Sequence, residues 1–155
     1  MLIAIALGMV LGVVLTGIVG WNLMPGLMLH ERLSPFGPDE TANRIKEIAL
    51  ANNWVVQGIQ PLHESIQKHG GAVFPPILLV NICHAGHASN ILKTDENKNI
   101  SVFMPCTISV YQKSDGKTYV GTMNAGLLGK MFGGTVAKVM KEVAAGQRRF
   151  VAFTN

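Results

Sequence analysis

The first thirty positions of the chain are almost continuously apolar, and this pattern changes abruptly after them. No charged side chain precedes His30, and only Thr16 and Asn22 are plainly polar before it. A run of about 20 apolar residues is long enough to span a bilayer core. Trp21 lies near the end of the run, where an aromatic ring prefers the headgroup level. The pattern predicts one N-terminal transmembrane helix in residues 1–25.

A cleaved signal peptide is the competing interpretation of this segment. Such a peptide has a shorter apolar region, a basic start and an Ala-x-Ala-like cleavage site. The sequence shows none of these features. A retained anchor is therefore the favoured prediction.

Small residues recur at every fourth position of the apolar segment. They form one stripe along a helix: Ala4, Gly8, Gly12, Thr16 and Gly20. In lipid the hydrophobic effect does not drive helices together, so close approach across small residues favours their association. Glycine is frequent in membrane helices generally. Five positions in register nevertheless predict packing against another helix, in a homo-oligomer or a larger membrane complex.

After residue 26 the apolar positions become periodic, and helical and strand periods alternate. Helices are predicted for "SPFGPDETANRIKEIALANN" (with Pro38 in the first turn), "PLHESIQKHGG", "HAGHASNILKTD" and "AGLLGKMFGGTVAKVMKEVAAG", the last as one helix or as two broken at Gly133-Gly134. Strands are predicted for "LMLHERL", "WVVQGIQ", "FPPILLVNIC", "ISVFMPCTISVY" and "TYVGTM", with a tight hairpin turn at "SDGK". Residues 26–155 are thus predicted to form one α+β domain, a mainly antiparallel sheet with helices packed on it.

Composition and charge exclude several classes of function. The chain of 155 residues has room for one domain. Its net charge is +4, and its basic residues are scattered among acidic ones rather than clustered. We therefore predict no nucleic-acid partner. The glycines of "GLLGKMFGG" lack the Gly-Lys-Ser/Thr ending of a phosphate-binding loop. No catalytic constellation is evident, and the sequence favours a protein that is not an enzyme.

The chemically most suggestive stretch is "NICHAGHASNIL". Cys83, His84 and His87 fall within five positions, and Cys106 is the second of the two cysteines. Covalent haem is excluded because the Cys-x-x-Cys-His motif is absent. Haem b would take one histidine here and a second ligand from elsewhere, since His84 and His87 lie one helical turn apart and point the same way. Zinc or copper suits the Cys2His2 set, although its spacing matches no standard zinc module.

Three interpretations of this cluster stay open: ordinary packing, metal or haem ligation, and a disulfide. The alternation of "ISVFMPCTISVY" places Ile100, Val102, Met104, Cys106, Ile108 and Val110 on one face. If Ile82 shares the core face with Cys106, then Cys83 points away and no bridge can form. We therefore predict two separate reduced cysteines, with Cys106 in the core and Cys83 in a corner beside the histidines.

Several of these segments together resemble the DUF302 family. They are "PPILLVNICHAGHASNIL", the spacer "KTDENKNI", "SVFMPCTISVYQKSDGKTYVGTMN" and "GLLGKMFGG"; the "MP" pair closing the apolar helix resembles its membrane-anchored members. The resemblance implies a compact fold similar to the TATA-binding-protein-like class, often dimeric, but no settled biochemical activity. The strand-end cysteine and the Pro-Cys pair look like family features. The doubled histidine of "CHAGH" departs from the family pattern.

Two functions are consistent with these features. The first is a membrane-anchored accessory or assembly subunit that associates through its transmembrane helix. The second is an extracytoplasmic redox or metal/haem-binding module that uses the Cys83, His84, His87 and Cys106 cluster. Basic residues after the span, such as Arg32 and Arg44, favour a cytoplasmic domain. The resemblance to anchored relatives implies that the domain lies outside the cytoplasm, and we expect this placement.

Overall fold

The chain begins with a long helix, α1 (Leu2–Met28), which runs through Pro25 and continues three residues beyond the predicted anchor. This computed structural model describes the backbone of residues 2–155 and the side chains from Leu7 onward. Ala4 of the predicted stripe therefore lies outside the described side chains. None of the apolar window within Leu7–Met28 is buried against the domain. This segment is long and apolar enough to cross a membrane.

A five-stranded, wholly antiparallel sheet forms the centre of the domain. Its strands are β1 (Leu29–Leu33), β2 (Val55–Pro61), β3 (Ile77–Cys83), β4 (Cys106–Gln112) and β5 (Thr118–Met123). Their order in space is β1-β5-β4-β3-β2. The predicted turn at "SDGK" joins β4 to β5, with Gly116 at a positive φ of 76°. The predicted α+β class and antiparallel sheet are confirmed.

The remaining chain forms five more helices and one 3-10 helix. These are α2 (Pro38–Ala51), α3 (Leu62–Lys68), α4 (Ala85–Leu92), α5 (Ala125–Phe132), α6 (Gly134–Phe150) and the 3-10 helix Asp95–Phe103. Pro38 opens α2, with Asp39 and Glu40 at its positive end. Gly133 separates α5 from α6 at a φ of +70°, a conformation that favours glycine. The two-helix alternative is therefore the correct one.

One strand prediction is wrong at its first half. The alternation from Ile100 to Met104 predicts a strand, but these residues lie in or directly after the 3-10 helix and β4 begins only at Cys106. Val102 is accordingly 78 % exposed rather than in the core. The neighbouring strand β3 ends at Cys83, next to the residue that pairs with Cys106. Residues 100–104 therefore have no strand to pair with, and alternation alone cannot form a ladder.

The core lies between one face of the sheet and the helices. Val80 and Ile82 of β3 and Ile108 of β4 are fully buried on that face. Ile45 of α2 and Phe150 of α6 meet them from the helical layer and are equally buried. Because alternate residues of a strand point to opposite faces, this register decides where Cys83 and Cys106 lie.

Candidate functional site

A small apolar pocket lies where β3, α4, the 3-10 helix and α6 meet. Its cavity volume is about 30 Å³, which corresponds to about one water molecule. All four residues of the predicted cluster border it: Cys83, His84, His87 and Cys106. Trp54, Met104 and Met140 contribute to its apolar wall. The structure thus brings the whole predicted cluster to one place, although Cys106 comes from a different strand.

The two histidines lie against each other at the start of α4. His84 is the residue that caps α4, and its Nδ1 accepts a hydrogen bond from the backbone N–H of His87 at 3.2 Å. Their ring centroids are 4.0 Å apart and the rings are inclined by 31°. The ring of Trp54 meets both edge-on, at 5.5 Å from His84 and 5.7 Å from His87. The capping bond fixes the orientation of the His84 ring, and contact with Trp54 restricts the movement of both histidine rings.

The environment of His87 favours the neutral form of its ring. Burial lowers the pKa of His87, the neighbouring His84 lowers it further, and Glu142 of α6 opposes both effects. The Nδ1 of His87 lies 3.3 Å from a carboxylate oxygen of Glu142. In neutral His84 the Nδ1 accepts a hydrogen bond, so its Nε2 carries the proton. In neutral His87 the protonated Nδ1 faces the Glu142 carboxylate, which leaves Nε2 as the unprotonated nitrogen. A neutral ring with one open nitrogen is the state that binds a metal or accepts a proton.

The two cysteines are not joined by a disulfide. Ile82 pairs directly with Cys106, so these two share the core face, and Cys83 is one residue further along β3. Both thiols are free, as predicted. Burial, with a smaller contribution from Cys83, raises the pKa of the Cys106 thiol to about 11. A thiol that stays protonated at neutral pH is a poor nucleophile and a poor metal ligand.

The arrangement restricts what this pocket can bind as it stands. Across the described residues, no three His, Cys, Asp or Glu side chains are placed so that they could hold a metal ion. A haem is far larger than a cavity of about 30 Å³. The pocket therefore presents two half-buried imidazoles beside the half-buried thiol of Cys106. Any ligand larger than water requires the pocket to open.

Two residues of this site were not predicted. Trp54 directly precedes β2, and Glu142 lies on α6, more than fifty residues from either histidine. No local spacing connects them to the "CHAGH" motif. Only the packing of α6 over α4 brings Glu142 to His87.

The predicted helix-packing face of α1 is open along its described part. A Cβ atom added at Gly8, Gly12 or Gly20 would meet nothing within 4 Å. Thr16 lies on the same face and donates its hydroxyl hydrogen bond to the carbonyl of Gly12 at 2.8 Å. This bond satisfies the hydroxyl within the helix itself. The face therefore presents small groups, and its Thr16 hydroxyl already has a hydrogen-bond partner.

Comparison with known proteins identifies the domain. The family model described as "Domain of unknown function DUF302" matches residues 30–152. A crystal structure of an uncharacterized conserved DUF302 protein from Bacillus stearothermophilus has the same fold, with a TM-score of 0.68 and 23% sequence identity. The similarity covers 81% of this chain and 94% of that one. No curated protein matches the sequence.

Proposed function

The chain belongs to the DUF302 family, and we propose that it is a membrane-anchored accessory or assembly subunit of that family. In this proposal α1 spans the bilayer, and the domain is held beside a second copy or a larger membrane complex. The proposal includes membership of the anchored subgroup and a TATA-binding-protein-like arrangement of the domain.

One observation carries the proposal: the apolar surface of α1 is uncovered. Most large side chains around the helix are half exposed or more, for example Val13 at 74 % and Leu23 at 58 %. A soluble helix hides such residues against a core, whereas a bilayer covers them on every side. Trp21 is 82 % exposed near the end of the span, where an interfacial aromatic ring would lie.

Membrane extraction tests the anchor. Membranes that contain the full-length protein are washed with alkaline carbonate, and the intact mass of the retained protein is measured. The proposal expects the protein in the pellet with residues 1–25 present. A mass that lacks the apolar segment would identify a cleaved signal peptide instead.

The association face has a matched test within the same helix. Gly12→Leu places a bulky side chain on the small-residue stripe, whereas Gly17→Leu adds the same bulk on another face. We expect Gly12→Leu to reduce the oligomer or complex size in mild detergent, and Gly17→Leu to leave it unchanged. If both variants have the same oligomer or complex size, the small-residue stripe does not mediate the association.

We propose that the domain lies outside the cytoplasm, as the anchored relatives imply. Reporter fusions after Asn155 test this placement. Alkaline phosphatase is active only outside the cytoplasm and green fluorescent protein, exported in unfolded form, only inside it. The proposal expects phosphatase activity and no fluorescence.

A redox or metal-binding module is the second candidate function. The observation that favours it is the convergence of Cys83, His84, His87 and Cys106 on one pocket. Metal analysis and an absorption spectrum of the protein from its native source test it, with His87→Ala as the comparison. Stoichiometric metal or a haem band that is lost in His87→Ala would support this candidate. Their absence from the wild-type protein would reject it.

A further inference from the structure

A second, larger cavity shares no lining residue with the histidine pocket. It is an open groove of about 570 Å³ between the edge strand β1 and helix α6, and we call it the juxtamembrane groove. The residues that line it include His30, Arg32, Asn124, Ala144, Gln147 and Arg148. This volume is in the range of pockets that hold small molecules.

The groove brings basic side chains from two elements together. His30 pairs with Thr122, and Arg32 pairs with the buried Val120, so both point to the face of the sheet that the helices cover. Arg148 approaches from α6. Neither arginine forms an ion pair with the described residues. The groove therefore has positive charge that no carboxylate of the described chain neutralises.

The acidic residue at the groove does not cancel this charge. Glu31 lies between His30 and Arg32 in β1, so its side chain points to the opposite face of the sheet. There it accepts hydrogen bonds from Tyr111 and from Lys113, the latter at 2.6 Å. These two bonds lower the pKa of Glu31 and keep its carboxylate occupied.

A buried polar group in the wall of the groove lacks a partner. Gln147 is 3 % exposed, and its Nε2 has no hydrogen bond within the described protein. Buried donors are nearly always paired, because an unpaired one loses its bonds to water. Because this nitrogen is fully buried, the Gln147 side chain has to turn toward the groove before an acceptor oxygen there can supply the missing bond.

The position of the groove indicates where such an oxygen comes from. The apolar stretch of α1 ends at Met28, and Gly26 and Leu29 border the groove. If α1 spans a bilayer, the groove opens at the level of the lipid headgroups. Arginine binds phosphate oxygens through paired N–H donors, and basic sites beside a membrane span bind anionic headgroups.

We propose that the juxtamembrane groove binds the phosphate-bearing headgroup of an anionic phospholipid. This inference rests on the proposed function, because it requires α1 to be in the membrane. Arg32 and Arg148 hold the phosphate oxygens, and Gln147 donates to one of them. The bound lipid then fixes the domain against the membrane surface.

The test uses the full-length protein in mild detergent, titrated with short-chain phosphatidylglycerol, short-chain phosphatidylcholine and inorganic phosphate. We expect phosphatidylglycerol to bind at least about ten-fold more tightly than phosphatidylcholine. Arg32→Gln with Arg148→Gln should weaken that binding by about ten-fold or more. Lys46→Gln with Lys93→Gln removes the same charge from exposed positions outside the groove and should change it less than about two-fold.

Gln147→Met is the second variant, since it keeps the side-chain volume and removes only the amide. It should weaken phosphatidylglycerol binding while the thermal unfolding temperature stays the same or rises. A merely structural glutamine would lower the unfolding temperature and leave binding unchanged.

Three results would overturn the inference: equal binding of both lipids, binding that survives loss of both arginines, or inorganic phosphate binding as tightly as the lipid. Carbonate extraction of the same wild-type and variant proteins separates this inference from the anchor. Protein that stays in the membrane but shows no lipid preference contradicts the groove alone. Protein that washes out contradicts the anchor itself.

Discussion

Single residues at the histidine pocket owe their chemistry to burial. Cys106 lies on the core face and its raised pKa, about 11, keeps it a thiol at neutral pH. Cys83 is half-buried at the end of β3. The thiolate is the reactive form, so the raised pKa makes Cys106 the less reactive of these two half-buried cysteines.

Alkylation should distinguish the two cysteines. At pH 7.5 we expect iodoacetamide to modify Cys83 in the folded protein and Cys106 only after denaturation, because the raised pKa keeps the Cys106 thiol protonated in the fold. Peptide mass spectrometry locates the label. A thiol count under denaturing, non-reducing conditions should give two free thiols. Zero free thiols would contradict the register that places Cys83 and Cys106 on different faces.

His87 should make the folded state sensitive to acid. Its pKa is below the ordinary 6.5 in the fold, so the unfolded chain binds its proton more readily. Stability from this residue is therefore fully present above pH 6.5 and is lost as pH falls through the lowered, folded pKa. The unfolding temperature of the wild type should drop on acidification below pH 6.5.

The comparison variants for this effect are His87→Gln and His69→Gln. His87→Gln should flatten the pH dependence between pH 6.5 and 5. His69→Gln replaces an exposed histidine outside the pocket and controls for the substitution itself. Glu142→Gln should steepen it, because Glu142 raises the pKa of His87. A profile that is unchanged in His87→Gln would show that another group titrates.

At the scale of elements, the close contact of α5 and α6 depends on one glycine. A Cβ at Gly129 would lie 2.5 Å from the Cβ of Met140, far inside contact distance. A Cβ at Gly126, one turn earlier on α5, would meet the Cβ of Ala144 at an ordinary 3.6 Å. The two glycines therefore have different roles on the same helix.

Alanine at these positions should separate the roles. Gly129→Ala forces α5 and α6 apart and should lower the free energy of unfolding by about 1–3 kcal/mol. Gly126→Ala should leave it unchanged or raise it by up to about 1 kcal/mol, since alanine is the better helix former. Chemical denaturation in detergent measures both. Equal losses would show that the separation of α5 and α6 is not set at Gly129.

Asn124 joins the anchor to the domain. Its backbone N–H donates to the carbonyl of Met28 at 2.7 Å, and its Nδ2 donates to the carbonyl of Leu27 at 2.9 Å. Its Oδ1 accepts from the backbone N–H of Leu127 at 3.1 Å and so caps α5. One side chain therefore connects the end of α1 to the start of α5.

Asn124→Asp should loosen this joint without uncapping α5. The carboxylate keeps the acceptor for Leu127, loses the donor to Leu27, and places negative charge at the negative end of α1. Hydrogen exchange should accelerate at residues 26–30 and stay unchanged in α5. Asn97→Asp, which removes an exposed side-chain bond to Thr94, is the control and should leave both segments unchanged. Faster exchange in α5 would show that the cap had failed.

At the scale of the whole molecule, the last residues close the domain against its first strand. The backbones of Asn155 and Leu33 exchange two hydrogen bonds, at 2.8 and 2.9 Å. Phe153 packs near Phe36, with 6.0 Å between ring centroids, and Thr154 is buried. The C-terminus is thereby tied to the strand that follows the anchor.

Deletion of the last three residues should therefore destabilise the domain. Loss of two backbone bonds and one aromatic contact should lower the free energy of unfolding by about 2–4 kcal/mol. Asn155→Ala keeps the backbone bonds and should have little effect. Urea titration of the full-length protein in detergent measures both. An unchanged midpoint after the deletion would show that the tail does not support β1.

The sequence alone determined the elements whose signals are local. The apolar run predicts α1, Pro38 marks the start of α2, and the Asp-Gly turn marks the β4–β5 hairpin. Each of these signals lies within the element that it predicts and needs no partner distant in the chain. The break at Gly133 was recognised only as one of two alternatives. The family followed from longer motifs and was confirmed by the family model.

Only the tertiary structure decided features that depend on partners distant in the chain. Residues 100–104 alternate like a strand, but they form none because β3 ends before it can pair with them. Both faces of "ILLVNIC" are apolar, so the pairing of Ile82 with Cys106 was needed to place the cysteines. Glu142 meets His87 only because α6 packs over α4. The juxtamembrane groove likewise joins β1 to α6 across more than a hundred residues, a distance that no sequence period spans.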